Sequence, residues 1–224
     1  MREISLDTET TGLNPKKGDR VVEIGCVEMI NHIATGEVFH VYVNPERDMP
    51  EGAFNVHGLS EEFLQDKPLF ATIADDFLAF IDDAPLVIHN AAFDMGFLNW
   101  ELQNIGKAEL EMARSIDTVR MARNKFPGAQ ASLDALCRRF GIDHSDRTLH
   151  GALLDARLLA DVYLELMGGR QTGLSLADGP QAQVHPQSEV KKQVRAPRTF
   201  APSAQEQAAH GEFIATLKNP LWTR

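Results

Sequence analysis

The sequence EISLDTETTGLNP, residues 3–15, predicts a β-strand that ends in a turn. Its first half, Glu3 to Glu9, is strand-like, and the Gly, Asn and Pro that follow are typical turn residues. Two more segments rich in Ile and Val come next along the chain, Arg20 to Ile30 and Val38 to Val43, again separated by turn residues. The sequence therefore opens with three consecutive predicted strands.

Helical patterns alternate with short strands beyond this region. The apolar residues of one amphipathic helix recur at helical spacing, namely Leu69, Phe70, Ile73, Ala74, Phe77, Leu78 and Ile81. The segments that follow are an apolar strand at 86–88, a helix from about Ala91, a short strand at 115–118, and helices around 119–125, 132–140 and 151–167. This order predicts an α/β domain with a mixed central sheet flanked by helices.

Composition places a domain boundary near residue 167. The chain has 224 residues and is 43% hydrophobic, which is enough for one compact domain with some chain left over. Periodic apolar segments run to about Met167, and a stretch rich in Gln, Pro, Ser and Ala follows Gly168 and Gly169. We therefore expect a domain over 1–167, a flexible linker over 168–202 and a separate C-terminal segment over 203–224.

Charge is distributed unevenly between these parts. Residues 1–167 carry 15 Lys and Arg against 28 Asp and Glu, a net charge of −13, whereas residues 168–224 carry 7 against 4, a net charge of +3. An acidic body argues against tight autonomous binding to nucleic acid, because Lys and Arg supply much of that affinity. The negative charge is consistent with a domain that binds cations, or with a domain that another protein brings to its substrate.

The sequence disfavours both a membrane protein and a protein stabilised by disulfide bonds. No apolar run approaches the ~20 residues needed to span a bilayer, and the opening Met-Arg-Glu lacks a signal-peptide pattern. We therefore expect a cytoplasmic protein without a membrane partner. Cys26 and Cys137 lie in apolar periodic segments without His or Cys at metal-ligand spacing, so we expect them to be buried, reduced and inert.

Four carboxylates lie where the patterns predict burial. Asp7 and Glu9 are two residues apart at the end of the first strand, so that both lie on one face, although a solvated strand end also fits that pair. Asp94 and Asp155 each lie on the apolar stripe of a predicted helix. The residues in register with them are Phe97, Leu98, Leu102 and Ile105 for Asp94, and Leu158, Leu159, Val162 and Leu166 for Asp155. Since a buried carboxylate needs a partner and neither stripe offers Lys or Arg, the simplest common partner is one or two hard divalent cations.

His150 precedes Asp155 by five residues. On a continuous helix the two side chains would diverge by ~140°, so they converge only if His150 lies on a loop before the helix, which Gly151 favours. A histidine beside metal ions is suited to take a proton from a water nucleophile. The other acidic pairs, at 61–62, 75–76 and 82–83, fall on polar faces or at a helix start and are expected to be solvated.

Three motifs together resemble the DEDD exonucleases of the histidine type, a family with the ribonuclease-H-like fold. They are DTETTG at 7–12, HNAAFD at 89–94 and HGALLDA at 150–156, in the order and separation of that family. The segments VHGL at 56–59 and SLDALC at 132–137 extend the resemblance to the proofreading exonucleases of bacterial replicative polymerases. The resemblance covers about Ile4 to Leu166.

The resemblance implies 3′-to-5′ hydrolysis of a DNA end with release of nucleoside 5′-monophosphates. Asp7, Glu9, Asp94 and Asp155 would hold two divalent cations, Mg²⁺ or Mn²⁺, and His150 would accept a proton from the attacking water. The residues that would contact the terminal nucleotide are Asp7, Glu9, Thr10, Thr11, Gly12, Leu13, His57, Asn90, Phe93 and Asp155. His57 also fits an ordinary loop histidine.

The C-terminal part of the chain predicts docking to other replication proteins. Gln171–Leu176, QTGLSL, resembles the short peptides that bind the bacterial sliding clamp. Ser203 and Glu206 form a capping-box pattern that opens a helix. The apolar residues of this helix and of the segment after it are Phe213, Ile214, Leu217, Leu221 and Trp222. Such a stripe is typical of a docking peptide, here for the catalytic subunit of a replicative polymerase, although a helix packed on its own body gives the same pattern.

Three functions fit these observations. They are a proofreading DNA exonuclease, a free-standing RNA 3′ exonuclease of the same fold, and a non-catalytic scaffold between polymerase and clamp. The complete set of four carboxylates with His150 disfavours the scaffold, and the docking tail disfavours the free RNA enzyme. A 2′-hydroxyl is the group that would distinguish an RNA substrate from DNA in this pocket, and a further small subunit is an additional candidate partner.

Overall fold

The computed structural model describes residues 1–145, 149–169 and 201–218. Within these residues the strands are β1 Arg2–Thr10, β2 Val21–Ile30, β3 Ile33–Tyr42, β4 Leu86–Ile88 and β5 Ser115–Asp117. The helices are α1 Glu51–His57, α2 Glu61–Gln65, α3 Phe70–Ile81, α4 Ala91–Asn104, α5 Thr118–Lys125, α6 Leu133–Phe140, α7 Ala152–Leu166 and α8 Ala204–Ala215. Helix α8 belongs to a second compact unit, and every other element belongs to the first.

One mixed sheet organises the first unit, with the strand order β3-β2-β1-β4-β5. Strand β1 is antiparallel to β2, and β2 is antiparallel to β3. On the other side β1 is parallel to β4, and β4 is parallel to β5. The mixed sheet predicted from the sequence is therefore confirmed. The carboxyl ends of β1, β4 and β5 meet at one edge, which is where α/β sheets usually bind ligands.

Helices cover both faces of this sheet. One buried cluster joins Ile4 and Leu6 of β1 to α3 and α4, for example through Phe77 and Leu98. The other cluster joins β2 and β4 to α6 and α7. Cys26 and Cys137 are both buried, as predicted. Burial raises the pKa of the Cys26 thiol. No helix in the described part of the chain has the length and hydropathy needed to cross a bilayer.

Two elements differ from the sequence-based expectations. Strand β3 begins at Ile33, five residues before the predicted start, because a tight turn at Asn31 and His32, both with positive φ, pairs its exposed first half with β2. Helix α1 was not predicted at all. Its Phe54 and Val56 are exposed, so that no buried apolar stripe marks it in the sequence.

Helix α7 approaches the sheet closely at Gly25 of β2. A Cβ atom at this position would overlap the backbone of Ala152 and Leu153, in the first turn of α7. Gly25 pairs with Asp7 of β1, so that the helix starts directly above the strand that carries Asp7. Ser5 strengthens the same contact, because its hydroxyl donates a hydrogen bond to the backbone carbonyl of Ala156 at 2.7 Å.

Gly25→Ala is expected to destabilise the protein by about 1–3 kcal/mol, the usual effect of overpacking a tight contact. Gly96→Ala is the control, since Gly96 lies within α4 with open space around its Cβ position and the substitution should stabilise by up to ~1 kcal/mol. Urea denaturation measures both. Equal stability of the two variants would contradict the close approach of α7.

Candidate active site

A cavity of about 310 Å³ lies at the carboxyl end of β1. Its lining residues are Asp7, Thr8, Glu9, His89, Phe93, Asp94, Ser132, Leu133, Asp134, His150 and Asp155. The structure thus brings together all four carboxylates singled out from the sequence, together with His150. No Lys or Arg occurs among these lining residues, and Asp134 adds a fifth carboxylate that sequence reasoning missed.

Three elements position the four carboxylates. Asp7 and Glu9 lie on one face of β1, opposite Gly25 and Glu23 of β2. Asp94 lies in the first turn of α4 and Asp155 in the first turn of α7, where the partial positive charge of a helix N-terminus favours a carboxylate. Since the two helices pack on opposite faces of the sheet, they deliver their carboxylates to the cavity from both sides.

Asp94 is a buried carboxylate without a cationic partner among the described residues. Its Oδ1 accepts hydrogen bonds from the backbone N–H of Thr8 at 3.1 Å and from the Thr8 hydroxyl at 2.7 Å. Burial raises the pKa of Asp94 to about 7, and the charge of Asp117 acts in the same direction, while the hydrogen bonds from Thr8 oppose it. The carboxylate form is therefore unfavourable until a cation binds nearby.

His150 lies on the loop before α7, as predicted, because the helix begins only at Ala152. Its Nδ1 is 3.3 Å from Oδ2 of Asp155; the His150 side chain is 48% exposed, whereas that of Asp155 is 3% exposed. Glu9, His150 and Asp155 each place one potential ligand atom within 4.8 Å of the others. The backbone N–H of His150 donates to the carbonyl of Val56 at 3.0 Å, which ties this loop to α1.

A second cavity, of about 500 Å³, adjoins the first and shares Thr8, Glu9 and Phe93 with it. Its remaining lining residues are Thr10, Thr11, Gly12, Leu13, Pro50, Gly52, Ala53, Val56 and His57. Most of the predicted nucleotide contacts therefore surround one space. Asn90 is placed differently: it is the exposed residue before α4, has a φ of 73°, and lines neither cavity.

His57 is buried and lines this second cavity. Its Nδ1 accepts a hydrogen bond from the backbone N–H of Leu59 at 3.0 Å, so that the proton of the neutral ring lies on Nε2. Burial lowers the pKa of His57, while the backbone of Thr10 and the charge of Glu23 act in the opposite direction. Nε2 is buried and faces the backbone of Thr10, without a hydrogen bond of good geometry among the described residues.

A buried ion pair that sequence reasoning missed supports the second cavity. The guanidinium of Arg20 donates to both carboxylate oxygens of Glu101, each at 2.8 Å. The backbone N–H of Arg20 also donates to the hydroxyl of Thr11 at 3.0 Å, so that the pair holds the loop that lines the cavity. The available signal was the position of Glu101, seven residues after Asp94 on the same apolar stripe of α4.

The family described as exonuclease matches residues 4–163 of the chain. DNA polymerase III subunit epsilon of Rickettsia felis is 52% identical over 225 residues, which cover 97% of this chain and 97% of the relative. The protein of the same name in Rickettsia conorii is 60% identical over 181 residues, 80% and 79% of the two chains. That of Escherichia coli is 48% identical over 203 residues, 87% and 83%.

Solved structures show the same fold. Exonuclease X in complex with 5′ overhanging duplex DNA is 27% identical, with a TM-score of 0.57 over 74% of this chain and 90% of that one. The nuclease domain of 3′hExo, a DEDDh family member bound to rAMP, is 18% identical, with a TM-score of 0.65 over 74% and 91%. The predicted ribonuclease-H-like exonuclease fold is thereby confirmed.

Asp94→Asn is expected to stabilise the cation-free protein. Because the pKa of the folded-state carboxyl is raised, the folded state binds its proton more tightly than the unfolded state, and wild-type stability falls as the pH rises from about 4 to about 7. Asn keeps an oxygen acceptor for Thr8 and carries no charge. We expect the unfolding free energy of the variant to exceed that of the wild type by about 1–4 kcal/mol at pH 8.

Urea denaturation in EDTA at pH 4, 6 and 8 measures this difference. It should be small at pH 4 and grow toward pH 8, and saturating Mn²⁺ should reduce it by stabilising the wild type alone. A difference that stayed constant from pH 4 to pH 8 would mean that the Asp94 carboxylate is not held in an unfavourable environment.

Proposed function

The chain belongs to the exonuclease family, and we propose that its first cavity is the active site of a 3′-to-5′ DNA exonuclease that proofreads for a replicative DNA polymerase. The convergence of Asp7, Glu9, Asp94 and Asp155 in one cavity is the observation that carries the proposal. The relatives named DNA polymerase III subunit epsilon, similar along most of the chain, support proofreading over the free-standing RNA exonuclease and the scaffold. We also propose that the protein acts in the cytoplasm, with the polymerase.

The donor set of the cavity fits hard divalent cations. Five of the eleven lining residues are carboxylates, and none is Lys or Arg. Burial raises the pKa of Asp94, so that a nearby cation would favour its charged form. We propose that Asp7, Glu9, Asp94 and Asp155 hold two such ions, directly or through water. Two Mg²⁺ or Mn²⁺ ions would lower the pKa of a bound water and stabilise the charge that develops on the departing 3′ oxygen.

His150 is placed to act on protons at this site. Its Nδ1 lies 3.3 Å from Oδ2 of Asp155, and a neutral ring that donates from Nδ1 accepts a proton at Nε2. The ring is about half exposed, so that it also reaches solvent. These features support the role of general base for the attacking water.

The second cavity suits the terminal nucleotide of the DNA strand. Its volume lies within the usual range of small-ligand pockets, and Leu13, Ala53 and Val56 give it an apolar lining for a base. His57 lines the same cavity, and we propose that its ring contacts a polar atom of the nucleotide. We propose further contacts from Thr10, Thr11, Gly12 and Phe93, which line the same cavity, and a contact from Asn90, which does not.

Asp155→Asn and His150→Gln are both expected to lose activity, but only Asp155→Asn is expected to lose Mn²⁺ affinity. Asp155→Asn should abolish hydrolysis of a single-stranded oligonucleotide and weaken Mn²⁺ binding, because it removes a proposed ligand. His150→Gln should lower kcat by roughly 10²–10⁴-fold, as is typical for loss of a general base, with Mn²⁺ affinity retained. Part of that loss should be recovered at high pH. Turnover assays and Mn²⁺ titration measure these effects.

Asp76→Asn is the matched control, since it removes one charge from an exposed position on α3 and should change neither quantity. Near-normal hydrolysis by Asp155→Asn would contradict the metal site. A loss of Mn²⁺ affinity in His150→Gln that equals its loss of turnover would make His150 a ligand, a role that its position beside Glu9 and Asp155 also allows.

We propose that the C-terminal segment anchors the exonuclease to its polymerase. The predicted capping box is confirmed, since Ser203 and Glu206 satisfy each other's backbone groups at the start of α8. Phe213 is 60% exposed and Leu217 is 38% exposed, which leaves apolar area for a partner. The predicted clamp peptide Gln171–Leu176, linker residues 178–200, and Leu221 and Trp222 lie outside the described residues. The clamp contact and a further small subunit stay predictions.

Deletion of 203–224 is expected to abolish binding to the polymerase without changing hydrolysis by the free subunit. Hydrolysis of short single strands by the free subunit should be unchanged, because the lining that the structure describes for both active-site cavities comes from residues of the first unit. Co-elution with the polymerase and removal of mismatched primer ends should be lost. If residues 178–202 form the flexible linker predicted from the sequence, 25 such residues have an r.m.s. span of ~25–30 Å and give an effective concentration of order millimolar, which the deletion removes.

Phe213→Ser should reproduce much of the loss of co-elution, whereas Gln207→Ser, a control at an exposed polar position of the same helix, should not. Undiminished co-elution of the truncated chain would place the polymerase contact elsewhere on the protein.

A further inference from the structure

We propose that α5, α6 and the segment between them, residues 118–140, bind the DNA strand upstream of the nucleotide being removed, with Arg138 and Arg139 holding its phosphates. The inference rests on the proposed function, since it extends the substrate from one terminal nucleotide to the strand behind it. Local charge, the course of α6 and the environment of the arginines each support it.

Charge in this segment is opposite in sign to that of the surrounding domain. Residues 118–140 contain one acidic residue, Asp134, and five basic ones, which are Arg120, Arg123, Lys125, Arg138 and Arg139. Their net charge is +4, whereas the whole of 1–167 has a net charge of −13. An anionic strand would be repelled by most of this domain and attracted to this segment.

Helix α6 runs from the active-site cavity to a second, basic space. Ser132, Leu133 and Asp134, at its start, line the first cavity. Its later residues Arg138 and Arg139 line a separate cleft of about 510 Å³, together with Ala129, Gln130 and Ala135. A helix of eight residues is about 12 Å long, so the cleft lies within a few nucleotides of the site of hydrolysis.

The two arginines are available to a ligand. Both are exposed, and neither forms an ion pair with any described carboxylate. The guanidinium of Arg139 lies 4.5 Å from the ring centre of the half-buried Phe126, which restricts its motion and places an aromatic ring beside a cation. Lys125 is excluded from the proposed set, because its Nζ donates to the carbonyls of Glu165 and Leu166.

These features favour a nucleic-acid strand over an acidic protein segment. Arginine forks bind phosphate oxygens in pairs, and arginine with an aromatic ring is the usual combination for single strands. Gln130 adds a neutral hydrogen-bonding group to the same cleft. The cleft also lies beside the active-site cavity, where the rest of the substrate strand must pass.

The test is the double variant Arg138→Ala/Arg139→Ala in the full chain, assayed on a dinucleotide and on a 16-nucleotide single strand. We expect kcat/KM for the 16-nucleotide strand to fall about tenfold at low salt, and kcat/KM for the dinucleotide to stay unchanged. The slope of log kcat/KM against log salt concentration should become shallower by about 1.4, since each phosphate contact to a single strand contributes about 0.7 to this slope. Arg138→Lys/Arg139→Lys should keep most of the activity, because it keeps the charge.

Lys67→Ala/Lys107→Ala is the matched control. It also removes two positive charges, from residues that line neither the cleft nor the two cavities, and should leave the length dependence intact. An equal loss on both substrates, or no loss on either, would overturn the proposal. Unchanged kinetics with weakened co-elution with the polymerase would assign the surface to a protein partner instead. Wild-type protein that hydrolysed neither substrate with Mn²⁺ would contradict the proposed function itself.

Discussion

The approach of α7 to the sheet at Gly25 is the contact on which the geometry of the site depends. Asp155 and the loop that carries His150 lie on either side of the first residue of α7, so their distance from Asp7 and Glu9 is set by how closely this helix packs on β2. A side chain at position 25 would hold the helix away. The absence of a Cβ atom at Gly25 therefore sets how closely Asp155 and His150 approach the two carboxylates of β1.

Buried carboxylates in the described residues fall into two groups. Those outside the cavity are paired within the protein: Glu101 with Arg20, Glu23 with His40, and Glu3 with both His32 and the hydroxyl of Tyr163. Those in the cavity lie together with further carboxylates, and His150 lies at ion-pair distance from Asp155. Because concentrated negative charge is costly to bury, this contrast supports the proposal that the cavity binds cations.

The same charge pattern bears on how a strand of DNA is handled. Most of the domain carries negative charge and would repel a polyanion, while the basic segment over 118–140 would attract it next to the cavity. Weak binding by the isolated domain is compatible with efficient proofreading when a tether supplies a high local concentration. On this view the acidic body discourages hydrolysis away from the polymerase.

The sequence by itself determined the elements and the acidic residues that their registers bring to buried faces. Period-2 and period-3.6 patterns are local, and they were sufficient to place Asp7 with Glu9, to put Asp94 and Asp155 on buried stripes, and to set His150 on a loop. Only the tertiary structure decided which distant residues meet. The ion pair of Arg20 with Glu101 joins residues 81 apart in the chain, so no local pattern names the partner of Glu101. Helix α1 was missed for a different reason, because its exposed Phe54 and Val56 leave no buried apolar stripe.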